Sequence, residues 1–270
     1  MQKEGKLNQL QRLLPEGLVV DAAWLSSHGY STSLRTQYLA SGWLSQPCRR
    51  VYRRGHGSLN WQQAVISLQT LLGHRLVAGG RTALELQGYA HFLNPNAAEV
   101  FLHGPQRPPS WLPQLPLPDV FHYRNSEPLL PSPEFPHALE HRTSAALPPD
   151  FAILPYGHWN WPLIVSRPER ALLELLDELP SRESFSHVDA LVEGLANLRP
   201  ALLSSLLARC RSVKVKRLFF FFAERHNHAW LPRLNRRSID LGKGKRQIVR
   251  GGVLDPTWQI TVPREFNAVP

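Results

Sequence analysis

The chain has 270 residues, 43 % hydrophobic and 19 % charged, and its 31 Lys and Arg against 21 Asp and Glu leave a net charge of +10. This is the composition of a soluble globular chain long enough for two modest domains, with a charge that suits a polyanionic partner such as nucleic acid or an acidic protein. No apolar run approaches the ~18–20 residues of a membrane span, and the start lacks the apolar region of a secretory signal. Two distant cysteines, Cys48 and Cys210, argue against a disulfide framework or a cysteine-built zinc site and point to a reducing cytoplasm. There is no low-complexity tail and no repeat at solenoid period. The charge is segregated: +5 over residues 1–60, −5 over 61–208 and +10 over 209–270. Separate charged roles for the two ends would produce this pattern, as would chance clustering on solvated faces.

In chain order, Leu7, Leu10, Leu13 and Leu14 follow helical spacing, and Pro15, Glu16 and Gly17 end that helix. Residues 18–20 form a short extended link. Asp21 is placed to N-cap a helix over residues 22–27, closed by Gly29, a residue type that tolerates positive φ. Ser31 caps a second helix over residues 32–41, stopped by Gly42. Trp43 and Leu44 follow, then a turn at Ser45, Gln46 and Pro47, and Val51-Tyr52 with arginines on either side. Helix, short helix, glycine turn, second helix, basic hairpin is the order of a winged helix-turn-helix. On the second helix Leu34, Tyr38 and Leu39 point inward, Ser33, Thr36 and Gln37 point away, and Thr32 and Arg35 sit at the flanks. With the cap Ser31, these polar residues are the candidates for base and phosphate contacts. Arg49, Arg50, Arg53 and Arg54 offer the wing charge for phosphates or the minor groove. The bland alternative is a solvated polar helix and hairpin.

Gly79, Gly80, Arg81 and Thr82 open a short helix through Ala83, Leu84 and Leu86, for close packing or for an anion at its start. Twelve of the 24 prolines lie between Pro105 and Pro149, which predicts an extended connector or a strand-and-loop region. Ser166 and Glu169 spell a capping box around Pro168, opening a helix with Ala171, Leu172, Leu175, Leu176 and Leu179 on its apolar face. A second helix carries Val188, Leu191, Val192 and Leu195. A third opens at Arg199-Pro200 and carries Leu202, Leu203, Leu206 and Leu207. Ser212 caps a fourth, with Lys214, Lys216 and Arg217 in its polar start. Its four consecutive phenylalanines, residues 219–222, cannot share one face, so this helix is sandwiched between layers. Strands are expected at 239–241, 247–249 and 258–262. The loop Gly242, Lys243, Gly244, Lys245, Arg246 lacks the phosphate-loop spacing; it is a tight turn with solvated lysines or a phosphate or RNA contact. Lys214, Lys216, Arg217, Lys243, Lys245, Arg246 and Arg250 form the candidate basic surface of the second half.

Enzyme readings find little support. His137, Glu140 and His141 fit the inverted zinc-protease motif but follow several prolines, and no third ligand is evident. His226 and His228 read as a helix-terminal polar pair. The lone Glu-x-Lys, at Glu4 and Lys6, lies outside any nuclease-like region.

The run VVDAAWLSSHGYSTSLRTQYLASGWL, followed by RRVYRRG and WQQAVISLQTLLGHRLVAGGRTALELQGYAHFL, resembles the N-terminal domain of AbiEi-type antitoxins. The resemblance continues through SRPERALLELLDELP, LRPALLSSLLARCRSVKVKRLFFFFAE, DLGKGKRQIVRGGVLD and ITVPREF, so it covers most of the chain. It implies an α+β protein: a winged helix-turn-helix over about residues 1–56, linking helices to 93, and a larger mixed domain over 94–270. It further implies the antitoxin of a type IV pair, whose N-terminal domain binds operator DNA at inverted repeats and represses its own operon. The C-terminal domain would counteract a nucleotidyltransferase toxin, directly or through its substrate. No catalytic residue, metal or cofactor is implied. Ser33, Arg35, Thr36, Gln37 and the wing arginines match the DNA-binding parts of relatives, which often carry Gly where this chain has Arg50. The implied chain is a cytoplasmic monomer or weak oligomer, cooperative on DNA and without membrane contact. The rival classes are a DNA-targeted nuclease or metalloprotease, and a plain transcription regulator without a toxin.

Overall fold

Leucines at helical spacing fold Lys6–Leu13 into α1, which stops ahead of Pro15 and buries Leu10. The computed structural model describes residues 5–89, 99–131 and 147–266. After β1 (Val19–Asp21), the Asp21 carboxylate accepts from the Trp24 N–H at 2.8 Å and starts α2 (Ala22–Ser27). Gly29, at φ +81, reverses the chain. The Ser31 hydroxyl then accepts from the Leu34 N–H at 3.2 Å and starts α3 (Thr32–Ala40). The turn expected at residues 45–47 is instead a strand: β2 (Ser45–Cys48) pairs antiparallel with β3 (Val51–Arg53). Arg49 and Arg50 form the connecting turn, with Arg50 at φ +65. Tight hairpins demand such backbone, and a non-glycine residue adopts it at a cost of roughly 1–2 kcal/mol. β1 pairs with the other edge of β3, completing the winged helix.

Between the winged helix and the later helices lies a five-stranded mixed sheet, of which the sequence pattern marked only the proline-rich part as a strand-and-loop region. Its strands are β4 (Val77–Ala78), β5 (Glu99–Gly104), β6 (Val120–Asn125), β7 (Phe151–Tyr156) and β8 (Trp161–Ser166), in the order β6-β5-β4-β8-β7. β5/β6 and β4/β8 are parallel, β4/β5 and β7/β8 antiparallel. β4 and the helix that follows, α5 (Gly80–Leu86), lie ahead of residue 94 yet belong to this sheet and its cover. An earlier helix, α4 (Trp61–Thr70), joins the lobes. Its Ser67 hydroxyl accepts from the Val19 N–H of β1 at 2.9 Å. Its Gln69 amide donates to Leu76 O and Ile164 O at 2.8 and 2.9 Å and accepts from the Ile164 N–H at 3.0 Å. One continuous apolar core therefore runs through both lobes.

A helical layer follows: α6 (Pro168–Asp177), α7 (Phe185–Gly194), α8 (Pro200–Arg209) and α9 (Val213–His226). The capping box expected at Ser166 and Glu169 does not form. Arg167 is the N-cap residue, and the Ser166 hydroxyl donates to Glu174 at 3.1 Å. Glu169 instead accepts from Arg199 through its backbone N–H, Nε and Nη2, at 2.9, 2.8 and 3.0 Å. Burial alone would raise the Glu169 carboxyl, but these bonds outweigh it and hold it below its ordinary value. At the centre Arg170, 1 % exposed, donates to Glu174 at 2.7 Å and Asp150 at 2.8 Å. Glu174 also accepts from the Gly80 N–H at 3.0 Å. The anion at the start of α5 is thus the protein's own carboxylate, and Gly79 leaves the space for it, since a Cβ there would strike Glu174 and His103.

All four phenylalanines of α9 are buried, each against different neighbours. Phe220 stacks on Trp258 with centroids 4.9 Å apart; Phe219 meets Trp230; Phe222 meets Phe185 and Phe266. Phe221 lies beneath Arg225. Beyond α9 the described strands are β9 (Val253–Asp255) and β10 (Ile260–Val262), paired antiparallel. The strands expected at 239–241 and 247–249 are loop; between them Arg246 is tied by backbone bonds to Gln259 and Thr261. Both cysteines are free, and no described helix is long and apolar enough to cross a membrane.

Candidate nucleic-acid interface

α3 turns Ser31, Thr32, Ser33, Thr36 and Gln37 to solvent, because Tyr38 occupies its buried side. Arg35 does not join them. It is 7 % exposed, and its Nη1 donates to Ala22 O, Ser26 Oγ and Tyr30 O at 3.1, 2.7 and 3.0 Å. Its Nη2 donates to Thr32 Oγ1 at 2.9 Å, and the guanidinium lies over the Tyr52 ring. One position before Thr36, it falls on the inner flank of the helix, where it locks α2, the glycine turn and α3 together. The expectation of a DNA contact at Arg35 is therefore corrected to a positioning role within the fold.

The wing arginines divide in the same way. Arg53, like the rest of β3, is buried, and it donates to Gly57 O at 2.8 Å. Burial pulls its guanidinium below the ordinary arginine value, against a smaller opposing effect of Glu16. Half-buried Arg54 donates to Gln11 O and Leu14 O at 3.0 and 2.9 Å, closing the end of α1. Arg49 and Arg50 stay exposed at the hairpin turn. Sequence reasoning missed Trp43, 44 % exposed just beyond α3. It also missed that the wing turn abuts residues 110–114 of the proline-rich stretch, where the Cys48 thiol approaches Trp111 O.

In the second lobe Arg217 is 4 % exposed and sits beneath the basic loop. It donates from Nε to Leu241 O at 2.8 Å, from Nη1 to Gly244 O and Gln259 O at 2.6 and 3.2 Å, and from Nη2 to Gly242 O at 3.0 Å. Lys216 is buried as well. Lys214 donates to Asp177 O and Leu179 O at 2.7 and 2.9 Å; burial lowers its pKa although the Asp177 carboxylate opposes this. Placing Lys216 and Arg217 on the surface is therefore corrected: both are buried, Arg217 beneath the loop that its guanidinium holds. Lys243, Lys245, Arg246 and Arg250 remain exposed, displayed by a loop whose Gly242 and Gly244 take φ +61 and +76.

His226 pairs with Asp189 at 2.8 Å, and His228 bonds Val192 O at 2.7 Å while stacking on Trp230. Both tie α9 and its end to α7. No group of three or more potential metal ligands occurs among the described residues. His137, Glu140, His141 and Glu4 lie outside them.

A winged helix carried on a larger α+β lobe is an architecture of transcriptional regulators. Residues 97–263 match the model for transcriptional regulators described as AbiEi antitoxins of type IV toxin–antitoxin systems, and residues 3–95 match that for the AbiEi antitoxin N-terminal domain. The chain belongs to this family. Among solved structures it is similar to the RV2827C protein from Mycobacterium tuberculosis, at 16 % identity and a TM-score of 0.52, over 94 % of this chain and 88 % of that one. No curated protein matches.

Proposed function

We propose that this chain is an antitoxin that represses its own operon. The winged helix binds operator DNA at inverted repeats, and the second lobe counteracts a cognate nucleotidyltransferase toxin, directly or through its substrate. The observation that carries this reading is the sorting of the basic residues. Of the candidate basic residues, Arg35, Arg53, Lys216 and Arg217 are buried within the two lobes, which leaves two separate exposed sets among the candidates. Arg49 and Arg50 accompany the polar face of α3, a combination suited to phosphates and base edges; Lys243, Lys245, Arg246 and Arg250 crown the loop on α9. The chain acts in the cytoplasm, as a monomer or weak oligomer, without catalysis, metal or cofactor.

The test separates the two sets in the full chain. Arg49→Ala with Arg50→Ala lowers affinity for duplex from the chain's own upstream promoter and reduces the steepness of its salt dependence by about two, while rescue from the co-expressed toxin persists. Lys243→Ser, Lys245→Ser, Arg246→Ser and Arg250→Ser together do the reverse. If folded proteins of both kinds keep both activities, the assignment is wrong.

A further inference from the structure

The wing turn and the proline-rich stretch enclose a cleft of about 490 Å³, lined by Asp21, Ala22, Ala23, Arg49, Arg50, Ser110, Trp111 and Gln114. We propose that this cleft receives a backbone phosphate of the bound duplex, so that residues 110–114 of the second lobe belong to the DNA interface. The proposal rests on the operator binding argued above. Its charge is suitable: two exposed guanidiniums face a single carboxylate, and Asp21 already accepts from the Trp24 N–H at 2.8 Å. Its polar equipment comes from both lobes, Ser110 and Gln114 standing exposed opposite the arginines.

The cleft is also held in shape before any ligand arrives. Arg50 O accepts from the Ala22 N–H at 2.9 Å, which fixes the left-handed turn, and the Cys48 thiol approaches Trp111 O at 3.9 Å. A site whose groups need no rearrangement loses less on binding. The volume exceeds a bare phosphate, leaving room for bridging waters at about 30 Å³ each. A two-residue wing is too short to follow a groove far, so the adjoining turn supplies reach that the hairpin itself does not have.

Binding of full-length protein to promoter duplex, followed by fluorescence anisotropy across a salt series, tests this through Gln114, whose exposure keeps its variants folded. Gln114→Glu weakens binding about tenfold and lowers the magnitude of the salt slope by about one; Gln114→Lys strengthens binding and raises the slope by about one. If both Gln114 variants bind like the unaltered chain while Arg49→Ala with Arg50→Ala loses affinity, the cleft proposal is overturned and operator binding by the winged helix stands. If Thr36→Ala with Gln37→Ala and the arginine pair are all without effect, the operator reading falls, and this proposal with it.

Discussion

Replacing Arg35 by methionine removes a buried cation that holds three segments of the winged helix in register. Its guanidinium makes four hydrogen bonds, to Ala22 O, Ser26 Oγ, Tyr30 O and Thr32 Oγ1. Charge-assisted bonds of this kind contribute roughly 1.5–3 kcal/mol each, and desolvating the guanidinium takes back several kcal/mol of the total. Methionine restores part of the packing but leaves the Tyr30 carbonyl with its bond from Arg35 lost. The expected cost is about 3 kcal/mol, the range seen when one partner of a buried charged network is removed. Urea unfolding of the full chain, followed by circular dichroism, measures it as a shift in midpoint at unchanged slope. A loss below about 1 kcal/mol would refute the argument that these bonds outweigh desolvation. Salt dependence adds a second check: a residue that positions the helix leaves the slope of DNA binding by the folded fraction unchanged, whereas a phosphate contact lowers it by about one.

Arg217→Met releases four carbonyl contacts under the basic loop, so trypsin should cut after Lys243 or Lys245 well before the rest of the chain unfolds; equal protection in both proteins would contradict the keystone role. Acid should destabilise the second lobe through Glu169 and Glu174, whose carboxyls lie below their ordinary values. Burial alone would raise them, but Arg199 outweighs it in the first case, and His103 with Arg170 in the second. Because the folded values are the lower ones, this stabilisation is complete above the unfolded value of about 4.3 and disappears as pH falls through the folded values. Glu169→Gln should be less stable at neutral pH and lose less between pH ~4.5 and ~3 than the unaltered chain. An unchanged urea midpoint difference between those two pH values would exclude Glu169 as a contributor.

The caps were readable because they are local. Asp21, Ser31 and Ser212 each accept from a backbone N–H three residues on, and no distant residue is needed to decide it. Ser166 and Glu169 carry the same signature and fail, since Arg199, thirty positions away, competes for the carboxylate and β8 claims the serine. The central sheet was hidden for a related reason. β4 has two residues and β5 and β6 pair in parallel across a proline-rich connection, so none shows the alternation that a strand facing water on one side would have.

The order of the predicted helices, the winged-helix topology and the basic ends were determined by sequence alone, because capping, periodicity and charge are properties of neighbouring residues; the family was legible only through the resemblance of whole motifs. Which cations face solvent was decided only by the tertiary structure. Arg35 beside Thr36, Arg53 beside Arg54, and Lys216 and Arg217 ahead of a phenylalanine run are the same residue types as the exposed set. Whether Arg35 or Arg217 meets water or a set of carbonyl oxygens depends on segments that return from 13 residues away, in the case of Ala22, or 42, in the case of Gln259. Burying a guanidinium is tolerable only where such acceptors converge, and that convergence exists only in the folded chain.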